Sequence, residues 1–309
     1  MTCSQPTTPR ARTTDGFIVV AVLWILGALA TLATIYSVYV IDTAVAFSVH
    51  GERLQANAMV TGALELTAYQ VASPLQVRPP QHAFTVRMGR ASVAAAYRSE
   101  GARIDLNAAP KELLAGLFTT LGARPADAAN YADRIVGWRT PPLDGPDPEA
   151  SAYRTAGLRY VPRGARFAHT GELSLVMGIP DFLVERAMPF VTVYSGQAQV
   201  NVLEAAPEVL AALPGMNPDL LHSVLVQRAA TPQNGQLVTA QLGPAQELAT
   251  AGDTKAVRVT VRVAFDNGRR LGSEVVILLS DDGPEPYRVL SWRDQLDELP
   301  DERPRTGVR

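Results

Sequence analysis

Thiol chemistry is nearly absent from this chain: among 309 residues the one cysteine is Cys3. A single thiol forms no internal disulfide and anchors no cysteine-based metal or redox site. A lipid-modified cysteine would follow an apolar stretch, and Met1-Thr2 is not one. Charge imbalance is missing too. The formal net charge is −2, which offers a polyanion little attraction. Histidines are few and scattered, at His50, His82, His169 and His222. None stands in a nucleophile-elbow or zincin-like context, and Ser195-Gly196 lacks the G-x-S-x-G frame. The residues supply no catalytic constellation, so an anchored enzyme of unknown type has nothing to support it.

What the chain has instead is an uncharged run. Phe17 to Ile41 gives 25 residues without a charged side chain, roughly 37 Å of α-helix against a hydrocarbon core of about 30 Å. Sixteen mostly polar residues precede it, with Arg10 and Arg12 the basic ones. An ordinary secretory signal is cut after its apolar core, next to small residues. Here Gly16-Phe17, heading the segment Ile18-Val19-Val20-Ala21-Val22-Leu23-Trp24, resembles the cut site of a prepilin. Cleavage there leaves the apolar segment in the mature protein, as anchor and packing helix together. The flanking arginines predict a cytoplasmic N-terminus, hence a single-pass protein whose C-terminal bulk faces the periplasm or cell exterior. Loss of residues 1–16 also removes Arg10, Arg12, Asp15 and the only thiol, leaving a net charge of −3.

Beyond Ile41 the same helix is predicted to continue. Ala44, Phe47, Leu54, Ala58, Leu64, Leu66 and Tyr69 recur at i+3 and i+4 spacing until Ser73-Pro74 ends the pattern. Short strands are expected at 84–88, 91–97 and 102–106. A weak internal repeat follows, in which Ile104–Leu114 resembles Val200–Leu210. Each copy reads as a strand running into a helix start. Asn107 is the expected N-cap of the first copy, with Pro110 in the first turn, and Glu204 a candidate cap in the second. Helices are expected at 111–121, 125–138, 171–177 and 181–188, with a long loop at 140–167. Ala256–Phe265 alternates apolar and polar residues, turns at Asp266-Asn267-Gly268 and returns through Arg269–Leu279. A last strand at 287–292 precedes a charged tail.

Met177-Gly178-Ile179-Pro180 and Pro214-Gly215-Met216-Asn217 sit between short helices, the layout of helix-hairpin-helix modules. Such turns can present backbone N–H groups to phosphate, so a membrane-tethered DNA receptor is the alternative reading. Against it, Asp181 and Glu185 follow Gly178 where a basic cluster would be needed. Nucleic acid is therefore not an expected partner.

Taken in order, several segments resemble the minor pseudopilin K family of type II secretion systems. They are Gly16–Trp24, Ile104–Leu114, Ala132-Asp133-Arg134-Ile135-Val136-Gly137-Trp138-Arg139, Gly171–Gly178, Pro189–Ser195 and Val200–Leu213. The resemblance implies an α+β fold. A pilin-like long N-terminal helix packs on a small antiparallel sheet and carries a large inserted all-helical domain of helix-hairpin-helix, SAM-like type. The expected divisions are a leader at 1–16, a membrane segment at 17–41, pilin-like helix and first strands at 42–106, and an inserted helical domain at 107–195. The second repeat copy follows at 196–255, the C-terminal strands at 256–293 and a disordered tail at 294–309. The implied partners are the minor pseudopilins I and J and the other pseudopilins, prepilin peptidase, the inner membrane and exported proteins.

Two residue-level implications follow from that resemblance. Major pilin-like subunits carry a glutamate five residues into the mature chain, where this one has Ala21, so Ala21 is implied as a determinant of a position at the filament tip. The family's helical domain also holds calcium on an acidic loop after the tryptophan matching Trp138. This chain offers Asp144, Asp147 and Glu149 there, yet Arg139-Thr140-Pro141-Pro142 stands where acids would be expected.

Overall fold

The computed structural model describes residues 15–72, 82–142, 147–231, 234–252, 254–280 and 285–295. The chain divides into two compact units, Met1–Ala58 and Met59–Arg309. One long helix, α1, runs Asp15–Ala72 as expected, but the apolar face expected for its second half is not the buried one: Leu54, Ala58, Leu66 and Tyr69 are exposed, and of the expected positions described Leu64 is buried. Its apolar stretch Ile18–Ile41 is buried against nothing in the molecule.

The second unit is built round two cores. In the first, the end of α1 covers a five-stranded antiparallel sheet made of β1 (His82–Met88), β2 (Ala91–Ser99), β7 (Ala256–Phe265), β8 (Arg270–Leu279) and β9 (Tyr287–Gln295), in the order β1-β2-β7-β8-β9. Period-2 alternation makes these strands: Val93, Ala95, Tyr97, Val259, Val261, Val263 and Val275 are buried. Met59, Val60, Ala63, Leu64, Ala68 and Val71 of α1 are buried as well, at the spacing of one helix face. At the sheet's edge the Tyr287 hydroxyl donates to Glu65 Oε1 of α1 at 3.1 Å. The β7–β8 turn closes at Gly268, whose φ of +86° suits a residue without Cβ.

The second core belongs to the helical region inserted between β2 and β7. It contains β3 (Ile104–Asp105), α2 (Lys111–Thr120), α3 (Pro125–Arg139), α4 (Pro148–Thr155), α5 (Asp181–Ala187), β4 (Val191–Thr192), β5 (Val200–Asn201), α6 (Pro207–Ala211), α7 (Pro218–Ala230), α8 (Gly235–Ala240) and β6 (Ala249–Thr250). β3 pairs parallel with β4, and β5 parallel with β6. The stretches 107–195 and 196–255 share one continuous apolar cluster, from Ile104 to Ala249.

Four local expectations are corrected. The strand expected at 102–106 is a 3-10 turn at Glu100–Ala102 followed by the two residues of β3, because Glu100 is drawn into the interior. The helix expected at 171–177 is a 3-10 segment, Thr170–Leu175. The loop expected at 140–167 contains α4, started by Pro148 and capped by Asp147, whose carboxylate accepts from the amides of Glu149 and Ala150. The tail expected from residue 293 begins later, since Arg293 and Asp294 pair with Glu274 and Ser273 inside the sheet; residues 296–309 lie outside the described residues.

The tightest contact joins the two repeat copies. A Cβ built at Gly116 in α2 would stand 1.9 Å from the backbone oxygen of Ala212, just after α6. Ala212 is the position equivalent to Gly116 under the 96-residue offset that sets Val200 against Ile104. An element meeting its own equivalent is what a local two-fold relation requires. Gly62 of α1 is a useful contrast, since a Cβ there meets only the flexible end of Met88 at 3.4 Å. Gly116→Ala is expected to lower stability by about 1–3 kcal/mol through overpacking against unyielding backbone. Gly62→Ala should be neutral or stabilising by up to about 1 kcal/mol. Urea midpoints of the two variants check this, and equal effects would count against the packing argument.

Candidate functional site

The site residues expected from the sequence fall into three places. Gly16 and Phe17 lie in the first turn of α1, and the rest of the leader, residues 1–14, lies outside the described residues. Ala21 sits one turn further on, half-exposed, on a helix whose span Ile18–Ile41 has a mean hydropathy of 2.5 and no buried share. That length and composition suit a single membrane crossing. Trp24, Tyr36 and Tyr39 all stand exposed along it.

The acidic residues proposed for calcium occupy other roles. Asp147 Oδ1 accepts from Glu149 N at 2.9 Å and Ala150 N at 3.1 Å as the cap of α4. Glu149 Oε2 pairs with Arg134 at 2.7 Å. Asp144 lies outside the described residues. Calcium takes six to eight oxygens, and among the described residues no three His, Cys, Asp or Glu side chains converge. A carboxylate already facing a guanidinium is a poor ligand for a second cation. The described donors therefore do not fit the ion.

The repeat, weak in sequence, is closely kept in geometry. In the first copy the Asp105 carbonyl accepts from Ala109 N at 2.8 Å, and its Oδ1 accepts from Asn107 N at 2.7 Å. In the second, the Asn201 carbonyl accepts from Ala205 N at 2.8 Å, and its Oδ1 accepts from Leu203 N at 2.9 Å. Leu106 N donates to Thr192 O at 2.8 Å and Val202 N to Thr250 O at 2.9 Å. A helix-ending arginine then clamps each turn. Arg139 donates to the carbonyls of Leu106 at 2.5 Å and Ala109 at 2.7 Å, and Arg228 donates to those of Val202 at 3.3 Å and Ala205 at 2.6 Å.

The clamps explain Arg139, which displaces the acid expected after Trp138. Burial lowers both guanidinium pKa values, with the charge of Asp105 pulling Arg139 partly back. Both expected caps are corrected. Asn107 does not cap α2; its amide bonds Phe167 in both directions, donating to the carbonyl at 3.1 Å and accepting from the amide at 2.7 Å. Glu204 does not cap α6; its Oε2 accepts from Ser99 N at 2.9 Å. Pro110 and Ala206 hold the cap positions without side-chain bonds.

The inserted region is tied to the sheet by a buried ionic cluster that sequence reasoning missed. Glu100 is fully buried. Arg258 of β7 donates to it through Nε at 2.6 Å and Nη2 at 3.1 Å, and also binds Glu274 of β8. Thr192 of β4 donates its hydroxyl to the same Glu100 carboxylate. Burial pulls the Arg258 guanidinium down, but the bonds and charges of Glu100 and Glu274 outweigh it, so the net shift is upward. The available signal was the lone Glu100 between β2 and β3, at a place where an exposed turn was expected.

Hairpin geometry is present at Gly178 and Gly215, with φ of +86° and +74°. The helices that follow open with Asp181 and Asp219 in their first turns, charges that repel phosphate.

An apolar N-terminal helix, a helix-covered antiparallel sheet and an all-helical insertion make this an α+β protein with one helix long and apolar enough to cross a membrane. The sequence profile of the family described as "Type II secretion system (T2SS), protein K" matches residues 93–196. No curated protein matches the chain. Among solved structures, one chain of the GspK-GspI-GspJ complex from the enterotoxigenic Escherichia coli Type 2 Secretion System shares the fold, with TM-score 0.55 and 17% identity over 79% of this chain and 99% of that one. Residues 93–196 are thus similar to protein K of the type II secretion system, and the chain shares the fold of that solved chain. Nothing in these comparisons supports the DNA-receptor alternative.

Tyr153 gives this region a pH signature. Its hydroxyl accepts from Met177 N at 2.8 Å, and burial pushes its pKa up to about 12. An unfolded tyrosine titrates near about 10. The folded state therefore keeps a proton that the unfolded state loses, and this contribution is intact below pH 10 and falls as pH rises toward 12. Tyr153→Phe is expected to flatten that alkaline decline while costing about 1–3 kcal/mol at neutral pH, because Met177 N loses its acceptor. Circular dichroism melts from pH 8 to 12 read both effects.

Proposed function

We propose that this chain is a minor pseudopilin of the type II secretion system, of its protein K family, and that it sits at the tip of the periplasmic pseudopilus, where it initiates and caps the filament with the minor pseudopilins I and J. Prepilin peptidase cuts between Gly16 and Phe17 and methylates the new amine of Phe17. The anchor lies in the inner membrane, oriented by Arg10 and Arg12 with the bulk of the chain in the periplasm. The work is structural and needs no catalytic residue.

Ala21 carries this reading. A carboxylate held in an apolar filament core needs a cationic partner, because unpaired it is costly. Ala21 offers no charge to the terminal amine of a subunit ahead, while the amine of Phe17 stays free to meet a glutamate behind. A subunit so built suits the end of a filament, and the helical insertion between β2 and β7 adds bulk that obstructs stacking above it. The solved complex of the fold relative contains GspI and GspJ, which supports the choice of partners.

Gly16→Val is expected to block processing, and mass spectrometry should then find a precursor heavier by the leader. A wild-type N-terminus at Met1 would falsify the cleavage reading. Ala21→Glu should leave secretion largely intact, and overproduction of the wild-type chain should shorten pseudopili by supplying excess caps. Gold-labelled protein spread along filament shafts, or filaments of unchanged length, would overturn the tip position. Co-purification with I and J tests the partners separately.

A further inference from the structure

Between Glu149 and Glu172 the chain has no carboxylate, yet it carries Arg154, Arg159, Arg163 and Arg166. One of these is satisfied internally: Arg163 donates to Glu172 Oε1 at 2.8 Å. Arg154, Arg159 and Arg166 are exposed and have no ion pair among the described residues.

Each of the three is the chain neighbour of an aromatic residue held in one cluster. The rings of Tyr153, Tyr160 and Phe167 have centroids 6.1, 6.5 and 6.1 Å from that of Trp138. Consecutive Cα atoms are about 3.8 Å apart, so each of the three arginines leaves the backbone directly beside a residue of the Trp138 cluster. The loop is fixed from beneath. Gly164 N donates to Trp138 O at 3.0 Å, and the buried Glu172 carboxylate accepts from Trp138 Nε1 at 3.1 Å and Ala168 N at 3.1 Å. Tyr160 and Val161 stay 38% and 42% exposed, an apolar step among the arginines.

We infer that this patch docks an acidic segment of another protein, with carboxylates on Arg154, Arg159 and Arg166 and an apolar side chain against Tyr160 and Val161. Guanidinium forks grip carboxylates two bonds at a time, and arginine and tyrosine are the residues that concentrate energy in protein interfaces. A phosphate polymer is held by charge and has no use for the Tyr160–Val161 step. The chain's net charge of −2 makes the patch a local exception, so its partner is selected by this surface and not by the molecule's overall field. The loop's ties to Trp138 and Glu172 limit the backbone ordering cost of association. The inference goes beyond the tip position and does not depend on it.

The test uses the full chain in nanodiscs of neutral lipid, with a fluorescent glutamate–tyrosine copolymer as probe. The wild-type chain should bind it at low salt. The triple variant R154E/R159E/R166E should bind at least tenfold more weakly, and V161S at least threefold. Raising salt to 1 M, where screening acts over about 3 Å, should remove most of the binding. If circular dichroism shows the charge reversal misfolded, R154Q/R159Q/R166Q takes its place. Absence of copolymer binding, or binding indifferent to the three arginines, overturns the patch. Inorganic polyphosphate bound as tightly, with the same dependence on the arginines and none on Val161, overturns the protein-segment assignment.

Discussion

The buried carboxylate of Glu100 is the constraint on which the second unit turns. It leaves water completely, which is tolerable only if its charge and lone pairs are met. Arg258 and Thr192 meet them from opposite sides, one from the sheet and one from the parallel strand pair of the helical insertion. An apolar joint at this place would hold as well energetically, but it would allow many docking angles. Directed bonds from three elements allow one. Regular strand is given up at 100–102, where Glu100, Gly101 and Ala102 are all buried, and this fixes how the insertion is mounted.

Within the insertion, the order comes from duplication. The same turn is written twice with different residues: Asp105 and Asn201 each fold a short side chain back on the amide two residues on. Arg139 and Arg228 each close the carbonyls that the turn leaves open. The turn itself needs only a side-chain oxygen, which aspartate and asparagine both possess, while the other side-chain atom suits its own neighbour: Asp105 Oδ2 accepts from Gly196 N, and Asn201 Nδ2 donates to Gly252 O. Arginine is retained because two carbonyls must be reached at once by donors in a fixed fork. The copies have diverged in length, since α4 and the arginine-bearing loop exist in the first alone. The aromatic cluster round Trp138 is what that added length encloses.

Much of this was legible from residue patterns. The long helix, the alternating strands of the sheet and the turn at Gly268 follow from periodicity and turn chemistry, which are local. The repeat was visible because the apolar positions and the Ala-Pro helix start survived in both copies. What stayed hidden is non-local. Asn107 has the right chemistry for a cap, but Phe167, far along the chain, competes for it and wins. Glu100 gave no sign of its partners, since Arg258 lies more than 150 residues away. The helix α4 was hidden by the Pro- and Gly-rich composition around it, although Asp147-Pro148 is a helix start by the ordinary rules. The candidate calcium residues read correctly as acids, while their commitments to a helix cap and to Arg134 depend on the fold.

The insertion's position in the chain has a further consequence. β2 and β7 are neighbours in the sheet, yet the whole helical region is made between them. As the chain is made from its N-terminus, β1 and β2 are complete before the strand that pairs with the other edge of β2 exists. The sheet closes only after Ala256 and the strands beyond it arrive, and loop closure over such a separation is slow. By then the insertion, whose core uses contacts of its own, has had time to form. The pilin-like part is therefore the last to mature. A chain cut short anywhere before β7 exposes the edge of β2 and cannot present a finished lateral surface. Completion of the sheet thus waits on the last strands of the chain, by topology alone.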